Sequence, residues 1–86
     1  MTRSEIEKEV LQALTSVAPE LDAASLVPNT PLRDQVDLDS MDFLRFVIEL
    51  HKQLGIEVLE TDYPKLASLD EAVNYLAARL APTPSS

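Results

Sequence analysis

The chain has 86 residues, no cysteine, a single glycine, and 15 acidic against 7 basic side chains, for a formal charge of −8. That length accommodates one hydrophobic core, and a domain so small buries only about 60–65% of its unfolded surface. The missing cysteines exclude disulfides, a thiolate nucleophile and a thiolate metal site, while the charge disfavours nucleic acid and anionic membrane surfaces as partners.

Met1-Thr2-Arg3-Ser4-Glu5-Ile6-Glu7-Lys8 contains no apolar run suited to a signal peptide, and nothing later is long enough to span a bilayer. A cytoplasmic monomer without membrane insertion is the expectation. Thr2 to Glu5 has capping-box spacing, and Ile6, Val10, Leu11, Leu14 and Val17 follow at helical intervals. Pro19 closes this first helix, because proline cannot donate to the helical ladder. From Pro19 to Asp39 no period is sustained, and Pro28 and Pro31 resist helix. About twenty residues without regular structure are unusual in a compact domain and point to an anchored or functional loop. Leu21, Leu26, Leu32 and Val36 are its expected anchors.

A second helix is predicted from Asp39 or Ser40 to Leu54, with Asp39 as its cap and Gly55 as its left-handed stop. Thr61 to Leu66 reads as one short turn of helix, with Pro64 tolerable in its first turn. Ser68-Leu69-Asp70-Glu71 is a further capping box, opening a last helix with the stripe Leu69, Ala72, Val73, Leu76 and Leu80. Residues 1–81 form an all-α bundle of three main helices and one short one, with a long loop between the first and second; 82–86 are a frayed tail. Ile56 to Leu59 is β-branched but too isolated to pair as a strand.

The second helix has more apolar surface than one core contact requires. At about 100° per residue, Phe43, Phe46, Val47, Leu50 and Leu54 share one arc, the expected core face. Met41, Leu44 and Ile48 fall on a separate arc centred roughly 130° away by the same geometry. They either touch other helices of the bundle or form a docking strip, with Arg45 beside them, for partner proteins. Methionine suits a surface that fits several partners.

Ser40 lies at the mouth of that helix, after Asp39. A nucleophilic serine needs a base within hydrogen-bond reach. The one histidine, His51, sits eleven residues along the same helix, roughly 16 Å away at 1.5 Å per residue, so it cannot serve. Asp37, Asp39 and Asp42 hint at calcium, but the loop lacks a turn glycine and a distal glutamate in register, so no metal site is expected. With no glycine-rich phosphate loop either, an independent enzyme is not expected.

Leu38-Asp39-Ser40-Met41-Asp42 resembles the Asp-Ser-Leu motif that opens the second helix of acyl carrier proteins, which are four-helix bundles. The resemblance covers nearly the whole chain, including the Gly55 to Val58 run, the short third helix and the amphipathic last one. It implies that a phosphopantetheinyl transferase moves 4′-phosphopantetheine from coenzyme A onto the Ser40 hydroxyl, with Asp39 as the motif acid linked to the transferase's magnesium. The implied function is a freestanding carrier of acyl thioesters for fatty acid, lipid or secondary-metabolite biosynthesis, used by acyl-loading, condensing or acyl-transfer enzymes. An aminoacyl or peptidyl carrier, or an unmodified interaction module with the same fold, remains open. Met41 replaces the usual leucine, and Asp37 stands where many relatives have glycine, so the local turn is expected to differ. Arg45, His51 and Lys52 lie on a helix that is more acidic in carriers of fatty acid synthesis, which favours a specialised pathway. The Pro19 to Asp39 loop and the short third segment are expected to move more than the main helices, making room for a tethered chain.

Overall fold

Thr2 opens the first helix, α1 (Arg3–Val17), by the expected box: its hydroxyl accepts from the Glu5 N–H while its own N–H donates to Glu5 Oε1 at 2.9 Å. The structure, a computed structural model, describes residues 2–36 and 38–80. Asp37, with the turn expected to differ there, and the tail 82–86 lie outside the described residues. Ile6, Val10, Ala13 and Leu14 turn one face of α1 inward, and α1 packs against both α3 (Ser40–Leu54) and α4 (Leu69–Leu80).

The predicted bounds of α3 hold at both ends. Asp39 accepts from the Asp42 N–H at 2.8 Å, and Gly55 takes the left-handed conformation at φ 69° while donating to the His51 carbonyl. Phe46, Val47 and Leu50 are buried, with Phe43 and Leu54 packed partly against the same core. In α4, Leu69, Ala72, Val73 and Leu76 are buried and Leu80 is half-buried. Of the expected second capping box, only the forward bond, from the Glu71 N–H to Ser68 Oγ at 3.1 Å, forms among the described residues.

The long loop departs from expectation in detail. It contains a 3₁₀ turn at Ala23–Ser25 and a short helix, α2 (Leu32–Gln35), with Pro31 at its N-cap. Pro31 does not oppose that helix, because at its start the missing N–H has no ladder bond to lose. The Gln35 side chain ties the loop to itself, donating to the carbonyls of Val27 at 2.8 Å and Thr30 at 2.9 Å. Two backbone bonds tie it to the far end of the chain: the Leu32 N–H donates to the Ala67 carbonyl at 2.7 Å, and the Asp70 N–H to the Pro28 carbonyl at 2.9 Å. The anchors Leu26, Leu32 and Val36 are buried and Leu21 is half-buried.

The short third element is a 3₁₀ segment, Glu60–Leu66, with Pro64 inside it rather than in its first turn. Seven residues is long for this conformation, whose hydrogen bonds are poorly aligned. Side chains hold it instead. Leu66 is fully buried, and the Tyr75 hydroxyl of α4 donates to Asp62 Oδ2 at 2.7 Å. Arg79 donates to the Glu57 carbonyl at 2.9 Å and stacks over the Tyr75 ring at 5.6 Å.

Candidate functional site

Ser40 is the first residue of α3, and its exposure follows from the cap before it. Asp39 stays extended so that its carboxylate can reach the Asp42 N–H, and its carbonyl accepts from the Phe43 N–H at 2.9 Å. The Ser40 side chain therefore leaves the helix at its tip. Its hydroxyl has no hydrogen-bond partner among the described residues, and the N–H groups of Ser40 and Met41 find no acceptor there either. A helix N-terminus with such donors favours negative charge, so a phosphate ester on this hydroxyl fits. His51 is exposed in the last turn of the same helix, where it cannot serve Ser40 as a base.

Beside Ser40 opens a groove of about 910 Å³. Leu32, Leu38, Phe43, Leu44, Tyr63 and Pro64 supply its apolar lining, and Arg33, Asp39 and Glu60 its charges. Phe43 forms one wall and meets Phe46 edge-on at 5.9 Å and Tyr63 at 5.5 Å. The edge-on contact with Tyr63 fastens the 3₁₀ segment to α3. An open apolar groove that starts at an exposed hydroxyl fits a flexible arm bearing an apolar load.

The second apolar arc of α3 is not core. Met41, Leu44 and Ile48 are 63%, 40% and 44% exposed, and Arg45 beside them is exposed too. Lys52 pairs with Glu49 at 3.7 Å, whereas Arg45 has no ion-pair partner among the described residues. Sequence reasoning thus placed Ser40, Asp39 and the strip together, and the fold keeps them on one helix. It missed the groove. Leu32 and Tyr63 reach it from segments on either side of α3 in the chain, and no periodicity relates them. The Tyr75 and Asp62 contact was missed for the same reason.

Residues 8–76 match the family model described as "Phosphopantetheine attachment site". The chain is 28% identical over 76 residues to the acyl carrier protein of Rubrobacter xylanophilus, covering 88% of this chain and 93% of that one. It is 26% identical over 82 residues to the polyketide-8 synthase acyl carrier protein 2 of Streptomyces avermitilis, covering 95% and 94%. A solution structure from Anaplasma phagocytophilum shares the fold with a TM-score of 0.81 at 24% identity, covering 96% of this chain and 97% of that one.

Proposed function

This chain belongs to the phosphopantetheine-attachment family, the family of the acyl carrier proteins, and we propose that Ser40 is the residue that bears its arm. Members are carriers rather than catalysts, and 4′-phosphopantetheine is held covalently on a serine. The arm supplies the terminal thiol that a chain without cysteine lacks, and with it the capacity to hold an acyl group as a thioester.

One observation carries the choice of residue. Ser40 is the exposed hydroxyl at the tip of α3, inside the matched segment, opening onto the apolar groove. The protein's own residues then have simple parts. Asp39 keeps the helix start in register and presents a carboxylate next to the modified hydroxyl. The N–H groups of Ser40 and Met41 would hold the phosphate, and Leu38, Phe43 and Tyr63 would shelter the load. Met41, Leu44, Arg45 and Ile48 form the face that the phosphopantetheinyl transferase and the acyl-loading, condensing or acyl-transfer enzymes read. An apolar helix strip on the surface suits docking into a partner's groove. The basic residues on α3 favour a specialised pathway over housekeeping fatty acid synthesis.

Incubation with coenzyme A, Mg²⁺ and a broad-specificity phosphopantetheinyl transferase should add one phosphopantetheine to the intact mass. Ser40→Ala should abolish the gain completely. A gain that survives in Ser40→Ala would place the arm elsewhere.

A further inference from the structure

Seven side chains of the chain are basic. Lys52 and Lys65 pair with acids one helical turn away, Arg3 donates to Asn74 Oδ1 at 2.7 Å, and Arg79 donates to the Glu57 carbonyl. Lys8, Arg33 and Arg45 have no such partner among the described residues, and of the three only Arg33 lines the groove beside Ser40. It is the one cation in that lining, among the described residues, and it shares the lining with the carboxylates of Asp39 and Glu60.

Its position is fixed although its side chain is exposed. Leu32, the residue before it, is 2% exposed and donates through its N–H to the Ala67 carbonyl at 2.7 Å. The Val36 N–H closes the turn on the Leu32 carbonyl at 2.8 Å. A guanidinium is therefore kept at the groove by a pinned backbone, with no acid of the chain to hold it among the described residues.

We propose that Arg33 is a positioning residue for the arm, its guanidinium pairing with the phosphodiester formed on Ser40. The inference rests on Ser40 being the attachment site. A phosphodiester carries one negative charge at every pH where the fold is expected to persist. Asp39 and Glu60 repel that charge, and Arg33 is the lining residue able to offset it. The planar guanidinium also matches two phosphate oxygens at once, which a lysine ammonium does not. Pairing there biases the arm toward the groove rather than toward solvent.

The test uses the full chain in apo form and after loading with 4′-phosphopantetheine, verified by intact mass. Absence of any mass gain would overturn the attachment reading and this proposal with it. Once the gain is verified and shown to be lost in Ser40→Ala, the outcome bears on Arg33 alone. The Arg33 Nε–Hε resonance should shift between apo and loaded protein. The ³¹P line of the loaded protein should move in Arg33→Gln, with part of the displacement restored in Arg33→Lys. Unchanged melting temperatures in both variants separate this from a structural role. At 1 M NaCl, where screening acts within about 3 Å, the difference should shrink. An Arg33 resonance and a ³¹P line that ignore loading and substitution would overturn the proposal. So would a response seen only after a succinyl group is loaded onto the thiol, which would assign Arg33 to a carboxylated cargo instead.

Discussion

Met41, Leu44 and Ile48 show how position on a helix divides residues of one chemical type. Phe46 and Leu50 occupy the same helix and are fully buried, whereas these three face solvent. The contrast gives opposite mutational outcomes. Met41→Glu and Ile48→Glu should change stability by no more than about 0.5 kcal/mol, as surface substitutions do. Both should still slow loading by the transferase or transfer by a partner enzyme. Phe46→Ala should cost about 3–5 kcal/mol through the cavity it leaves. Thermal melts of the three variants check this, and a sharp drop for Ile48→Glu would return the strip to the core. Gly55 is special for its backbone alone: it stands at φ 69°, and beyond the adjacent chain nothing described lies within 4 Å of where a Cβ would stand. Gly55→Ala should therefore lose about 1–2 kcal/mol from left-handed strain without any clash.

The 3₁₀ segment is the element whose stability depends most on groups outside itself. The Tyr75 hydroxyl holds the Asp62 carboxyl below its ordinary 3.8, with Lys65 at 3.5 Å helping. Burial, and then the Asp62 hydrogen bond, push Tyr75 above its ordinary 10.0. The lowered Asp62 value adds stability that is present above 3.8 and lost as pH falls through the folded value. The raised Tyr75 value adds stability that is present below 10.0 and lost as pH rises through the folded value. Glu5, lowered by its bond to the Thr2 backbone, contributes to the acid side as well. Tyr75→Phe should flatten the alkaline limb of the melting temperature against pH and shrink the acid limb to the Glu5 share and the smaller Lys65 share of Asp62. It should also speed amide exchange in Glu60–Leu66 relative to α1, α3 and α4. Identical limbs in the two proteins would show that this contact does not hold the segment. Because Tyr63 lies in the same segment and lines the groove, loosening it widens the space available to a tethered chain.

For the molecule as a whole, charge is the dominant unbalanced quantity. A formal charge of −8 meets only two ion pairs among the described residues, both exposed on the lysine side. Self-repulsion of this kind opposes the compact state and is relieved by salt. The melting temperature should rise as NaCl increases from a few millimolar to about 0.15 M, where the screening length is about 8 Å. A fall over that range would mean that attractive pairs outweigh the net charge. The same acidity makes the neutral or basic spots informative, and two of them, Arg33 at the groove and Arg45 on the strip, lie near Ser40 in the fold or along the helix.

The three long helices, their caps and the serine at the start of α3 were readable residue by residue because each is a local matter. Thr2 reaches Glu5, Asp39 reaches Asp42, and Gly55 needs only its own φ, all within one turn of chain. The apolar periods of α1, α3 and α4 likewise depend on a helix pitch known in advance. The order in the long loop, the groove and the Tyr75 latch depend on residues such as Leu32 and Ala67 that meet only after the bundle closes. Pairings of that kind leave no period or spacing in the chain, because packing brings the partners together and neighbouring residues do not.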